Sequence, residues 1–278
     1  MDFPSTRKER AFVDAHVHIR YPEGIASFVA AGIAAVRDAG MRDCPWNEPG
    51  EIVQRSGLPV IISAAWAIYK KGGYGSRLGA PVETQAEIKT EIFKLKNAGA
   101  AIIKVIASGL VSLTRTNSIT PGGFSREELA FIVQEAAGQD LAVMAHANGE
   151  DAIVAAAEAG VRSVEHGFFM TAHALEAMAK KGTYWIPTVG ALSRAAHADA
   201  VSKEMQTYSA ALITKHMEMI GRAHAMKVPL ALGTDCVLPD QEYKTCYDAE
   251  ISSFAQSGIS RNDVIAIACE GGARLLGI

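Results

Sequence analysis

The sequence predicts an α/β protein of the (β/α)8 TIM-barrel class, folded as a single domain over residues 1–278. Three observations predict it. Short β-branched runs alternate with longer amphipathic stretches along almost the whole chain, the pattern of repeated βα units around a parallel sheet. Eight such runs occur in 278 residues, a length at which an α/β barrel closes as one domain. No proline-rich or glycine/serine linker, charge block or low-complexity segment divides the chain. A doubly wound sheet is the competing arrangement of the same units.

In order, the strands are FVDAHVHI (12–19), IAAVRDA (33–39), PVIISAAW (59–66), AIIKVIA (101–107), LAVMAHA (141–147), SVEHG (163–167), YWIPTV (184–189) and PLALGTD (229–235). Each is short and mostly apolar, as a strand buried on both faces should be. Ahead of the fourth strand, VETQAEIKTEIFKLKNAG spaces its apolar residues near i, i+3 and i+4 and ends in a glycine suited to the C′ position. After it, SREELAFIVQEAAG does the same, and Ser125 with Glu128 forms an S-x-x-E capping box.

Composition narrows the function. A net charge of −3 argues against a general nucleic-acid binder. Cys44, Cys236, Cys246 and Cys269 show no CxxC spacing, so neither a structural zinc site nor a disulfide framework is expected. MDFPSTRKERAF lacks a following apolar stretch, and nowhere do 18 uncharged apolar residues run together. The expectation is a cytoplasmic protein with no membrane partner.

In a parallel barrel the reactive groups sit at the C-terminal ends of the strands. His16 and His18, two apart, project to the same side of strand one; strand five carries His146, strand six His166 after Glu165, and strand eight ends in Asp235. Singly, each has a structural reading: a hydrogen-bonded core histidine, or for Asp235 a helix cap. Five such groups at one end of four strands are hard to obtain from independent structural needs, and they point to a divalent metal, zinc first. His173, His197, His216 and His224 fall in helices or loops, where solvated or capping roles are the default, and Cys236 should turn away from the site as packing.

AAIIKVIASG (100–109) places Lys104 inside an apolar run. An ammonium there is paired, turned outward, or no longer an ammonium, because burying it alone costs several kcal/mol, on the order of the penalty for any unpaired ion. Asp38 is one candidate partner, and snorkelling out of the barrel is the other escape.

VDAHVH, IKVIASG, VMAHANG, VRSVEHG, WIPT and ALGTD, in this order from about residue 12 to 274, resemble the amidohydrolase superfamily of metal-dependent hydrolases, in particular its imidazolonepropionase-like and prolidase-like dipeptidase branch. That resemblance implies two divalent metal ions, with His16, His18 and Asp235 on the more buried ion and His146 and His166 on the other. It also implies that Lys104 carries CO2 as N6-carboxylysine and bridges them, so that two dications compensate a buried anion. The implied activity is hydrolysis of a C–N bond in a small-molecule amide, peptide-like or cyclic amide, with Asp235 as the proton-transfer residue.

Three other functions use the same residues. A lactonase or phosphotriesterase would keep the binuclear centre; a mononuclear zinc deaminase would need a glutamate shuttle, for which Glu150 and Glu165 are candidates; a non-catalytic barrel would have no chemical need for the ligands. Specificity should lie in the loops after the strands. In 67–79 these offer Tyr74, where relatives often carry histidine, and Arg77; in 108–124, Arg115. Either arginine could hold a substrate carboxylate by bidentate pairing, and the segment after WIPTVG could fold over the site. About a dozen residues precede the first strand and the sequence stops at GGARLLGI, so it reads either as a barrel-only form without the accessory β-sandwich common in relatives or as a truncated form of a longer chain; barrel surface left uncovered by loss of that domain makes homo-oligomers an expectation.

Overall fold

The structure, a computed structural model, describes residues 11–42, 59–238 and 242–278. One sheet runs in the order β10 (Cys236–Leu238), β1 (Phe12–Ile19), β2 (Ile33–Asp38), β3 (Val60–Ser63). The other runs β5 (Gly79–Val82), β4 (Ala67–Lys70), β6 (Ile102–Ile106), β7 (Ala142–Ala147), β8 (Ser163–His166), β9 (Tyr184–Ile186). Every pairing is parallel.

Backbone hydrogen bonds join the two sheets into a ring. On one side the Ala101 N–H donates to the Ser63 carbonyl at 2.9 Å, setting the start of β6 against β3. On the other, residues 229–235 lie between β9 and β1: Trp185 N–H reaches the Pro229 carbonyl at 2.8 Å, Ala15 N–H the Leu232 carbonyl at 2.8 Å, and Asp235 N–H the His16 carbonyl at 2.7 Å. The eight predicted strands therefore close in chain order as a TIM barrel. Strands β1 and β6 are buried along their whole length, as a sheet covered by helices requires.

The covering helices begin where their caps dictate. Helix α1 (Ile25–Ala31) follows β1; α2 (Gln85–Asn97) and α3 (Arg126–Ala137) each start with a complete capping box, Thr84 with Glu87 and Ser125 with Glu128. Gly99 after α2 is left-handed at φ 83°, as expected. Gly138 after α3 is not, at φ −63°; the left-handed turn falls on Asp140, φ 56°. Helices α4 (Glu150–Ala159), α5 (Ala172–Lys181), α6 (Val189–Ala196), α7 (Lys203–Ala225), α8 (Tyr243–Gln256), α9 (Arg261–Ala266) and α10 (Gly272–Leu276) complete the outer layer.

Two regions depart from the sequence reading. Strand eight is not a continuous ladder: Pro229 has no N–H, Thr234 gives its N–H to the Asp14 side chain, and Asp235 is left-handed at φ 51°, so regular pairing with β1 resumes only at β10. The segment 67–79, expected as loop, starts with β4, whose Ala67 pairs in register with Lys104. Gly79, opening β5, must be glycine, since a Cβ there would stand 1.7 Å from the Ala67 carbonyl oxygen. Cys44 lies outside the described residues.

Candidate metal centre

His16 and His18 alternate with outward residues on β1, so both rings face the barrel interior beneath the Asp235 turn. Their Nε2 atoms stand 3.4 and 3.3 Å from Asp235 Oδ1, and one potential ligand atom from each of the three lies within 4.8 Å of the others. Hydrogen-bond partners assign the tautomers. His16 Nδ1 donates to Glu165 Oε2 at 2.7 Å and His18 Nδ1 to the Gly40 carbonyl at 2.7 Å, and both acceptors lack a proton to give. In the neutral ring each Nε2 is therefore a lone pair directed toward a carboxylate oxygen.

Burial first, then the Lys104 ammonium, hold His16 down to about 4, so its imidazole is neutral at pH 7. Its Nε2 is buried and has no hydrogen-bond partner. Lone pairs facing a carboxylate repel it unless a cation lies between them, and a divalent metal with two imidazoles and a carboxylate fits this donor set.

The second pair of histidines lies alongside. The His166 ring is 5.1 Å from His16 and 4.6 Å from His146, centroid to centroid. His146 Nε2 donates to the Gly109 carbonyl at 3.0 Å, which leaves Nδ1 as the lone-pair nitrogen of its neutral ring; His166 Nδ1 shares a hydrogen bond with Thr188 Oγ1 at 2.7 Å, in which either atom can be the donor. Non-glycine residues just past the strand ends are left-handed, among them His166 (φ 66°), Thr188 (φ 47°) and Asp235 (φ 51°), of which His166 and Asp235 are predicted ligands.

Lys104 is 1% exposed and lines one cavity of about 180 Å3 with His18, Tyr74, His146, His166 and Asp235. It does not snorkel outward. Nor does Asp38 pair with it: that carboxylate accepts from Ser63 Oγ at 2.7 Å and from the N–H groups of Ile19 and Gly40, each at 3.1 Å. Among the described residues the Lys104 amine makes no hydrogen bond or ion pair, and burial lowers it to about 8 against the pull of Glu165 and Asp235. The geometry thus excludes an outward-turned Lys104 and a pairing with Asp38.

Buried polar groups that the sequence reading did not single out hold these ligands. Arg37 donates to Glu165 Oε1 at 2.8 Å, Ser163 Oγ at 2.9 Å and the Ala15 carbonyl at 2.7 Å. Burial raises Glu165, but Arg37 and the bond from His16 outweigh it and keep the carboxyl at about 2. Asp14 accepts four hydrogen bonds, from His16 N–H, Thr234 N–H, Thr234 Oγ1 and Tyr243 OH, and so ties β1 to the Asp235 turn. Arg194 of α6 donates to the Thr234 and Asp235 carbonyls at 2.8 and 3.0 Å. Arg37 had a visible signal: a charge inside the apolar strand IAAVRDA, the same anomaly that marks Lys104.

Several expectations change. Glu165 is buried behind His16 and is not among the cavity-lining residues, while Glu150 lies in the first turn of α4 with its carboxylate 3.1 Å from His173, so neither stands where a deaminase shuttle would act. Arg77 and Arg115 are exposed and do not line the cavity. Tyr74 does line it, 5.5 Å from His146 between ring centroids, with burial pushing its phenol up to about 12. His216, expected to be solvated or capping, is buried, stacked 4.2 Å from Phe168, with Nε2 donating to the Pro187 carbonyl. The segment after WIPTVG is α6, whose Ala191, Leu192 and Ala195 form one wall, and Cys236 is buried as packing. Among the described residues no helix is long and apolar enough to cross a membrane.

Comparison with known proteins matches the description "Amidohydrolase family" over residues 11–278. Ochratoxinase of Aspergillus niger is 37% identical over 139 residues, 49% of this chain, and the chain spans 29% of that protein's length. An uncharacterized protein of Mycobacterium tuberculosis is 23% identical over 276 residues, 95% of this chain and 73% of the other. Among solved structures, a Xaa-Pro dipeptidase with methionine bound in its active site superposes with a TM-score of 0.80 at 23% identity, covering 97% of this chain and 75% of that one, a likeness of fold.

Proposed function

The chain belongs to the amidohydrolase family, and on that premise we propose that it is a metal-dependent hydrolase of carbon–nitrogen bonds in small molecules, with a binuclear centre. His16, His18 and Asp235 would hold one ion, His146 and His166 the other, and Lys104, carboxylated by CO2, would bridge them. Zinc is the first candidate for a set of neutral imidazoles and carboxylate. The observation that carries the reading is the pair of lone-pair nitrogens, His16 Nε2 and His18 Nε2, directed at one oxygen of Asp235.

Forming the bridge joins the unprotonated Lys104 nitrogen to the carbon of CO2 and releases one proton to solvent. The low-dielectric run around Lys104 favours the free amine that this requires. When bound, the ions would acidify water and polarise the scissile carbonyl.

The remaining steps belong to side chains. Asp235, set in a left-handed turn, takes the proton of the attacking water and returns it to the leaving nitrogen. Arg194 and Asp14 keep that turn in place from behind, so the carboxylate moves a proton without moving itself. Tyr74, a neutral phenol at pH 7, offers a hydrogen bond to the substrate from the cavity side.

Removing metal with a chelator should abolish hydrolysis of an amide panel and restoring Zn2+ should recover it. Full activity in metal-free protein would refute this function.

A further inference from the structure

The candidate metal ligands occupy one end of the cavity beside Tyr74 and Asn148, whose amide donates to the Gly109 carbonyl, and the rest of its described wall is hydrocarbon. Leu110 and Leu113 come from the loop after β6, Leu78 from the turn before β5, Phe168 from the turn after β8, and Leu192 and Ala195 from α6. The wall is built in advance. Ser112 Oγ accepts from the Arg115 N–H at 3.1 Å, the Asn117 N–H donates to Tyr208 OH at 2.7 Å on α7, and that hydroxyl donates back to Asn117 Oδ1 at 3.0 Å. Antiparallel bridges Ser108↔Gly123 and Val111↔Ile119 close the loop on itself, and Phe168 N–H is anchored to Asn148 Oδ1 at 3.0 Å. This pinning leaves Arg115 exposed beyond the wall and puts the leucines on it.

Leu110 is 39% exposed. A leucine left in water forgoes part of the stabilisation that its full burial would contribute, and an apolar ligand against it recovers that share. Among the described lining residues Lys104 is the one ammonium or guanidinium, and it stands with the metal ligands rather than on the wall. A carboxylate placed against the apolar part of this wall would leave water with no cationic partner among the described lining residues.

Resting on the amide hydrolysis argued above, we propose that the substrate carries an uncharged apolar group, aliphatic or aryl, beside the scissile C–N bond, and is not anchored through a carboxylate held by an arginine. Water adds across that bond: the C–N bond breaks, a C–O bond forms, and a proton passes to the leaving nitrogen, giving a carboxylic acid and an amine.

The test uses zinc-loaded full chain and three matched compounds: hexanoyl anilide, its analogue with a para-carboxylate on the ring, and the mono-anilide of hexanedioic acid, which bears the charge on the acyl side. We expect kcat/KM for the neutral anilide to exceed both charged analogues by about tenfold or more, the cost of an unpaired carboxylate against hydrocarbon. Leu113→Arg, in the loop and clear of the metal ligands, should narrow that gap. Equal or faster turnover of a charged analogue, or an unchanged gap in L113R, overturns the inference. Should none of the three be hydrolysed, calorimetric binding of the same compounds separates the two claims. Tighter binding of the neutral one keeps the apolar preference while the hydrolytic reading fails, and equal or weaker binding ends both.

Discussion

Lys104 and Glu165 are both buried ionisable groups near the ligands, and they differ in what surrounds them. Glu165 is fully compensated by Arg37, Ser163 and His16, so it is a fixed anion that orients the His16 ring. Replacing it with glutamine keeps the volume but removes the charge that strengthens His16 as a ligand. Glu165→Gln should weaken metal binding by on the order of 10–100-fold, as loss of a partner behind a ligand does elsewhere, which a competition titration with a fluorescent chelator would measure. Lys104 has no such compensation. Lys104→Met should fold, since it places an apolar chain of similar length in an apolar run, and should lower the bound metal from two ions per chain to one, read by elemental analysis after gel filtration.

At the scale of elements, the capped and periodic segments were legible and the irregular ones were not. α2 and α3 start where Thr84 and Ser125 cap them, because a capping box is a local arrangement written in four residues. The strand-like run at 229–235 broke up because Asp14, more than two hundred residues earlier in sequence, takes the Thr234 N–H and hydroxyl, a long-range competition that no local pattern carries. Helix α6 shows the same dependence on distant partners. No side chain of its own caps it; Glu250 of α8 does, accepting from the Val189 and Gly190 N–H groups at 2.8 and 2.9 Å.

Burial pushes the Glu250 carboxyl from its ordinary 4.5 up to about 7, although both N–H groups pull it down. A group raised in this way holds its proton more tightly in the folded state, so its contribution to stability declines as pH rises from about 4.5 to about 7. Denaturant unfolding across that window should show wild type losing stability relative to Glu250→Gln, with a slope approaching about 1.4 kcal/mol per pH unit; parallel curves would contradict the assignment.

For the whole molecule, the barrel and its ligands are one design. The ring order follows chain order, so ligands separated by up to 219 positions, from His16 to Asp235, meet at one end without any long connection having to cross. This is why the residues proposed as ligands stand out in the sequence while the residues behind them do not. HxH and the strand-terminal His and Asp are recognisable types at recognisable places, whereas Arg37 and Asp14 act through partners that only the closed ring brings near. Because the proposed ligands come from β1, β6, β7, β8 and the closing segment, metal binding should stabilise the whole barrel. At a hundredfold excess over Kd it contributes about 2.7 kcal/mol, and chelation should lower Tm by several degrees. The binuclear, carboxylated centre is tested most directly by 13C NMR on protein loaded with zinc in the presence of 13C-bicarbonate, with metal counted in the same sample. The account predicts two ions per chain and a carbamate carbon signal that disappears in Lys104→Met; one ion per chain with no carbamate signal would contradict it.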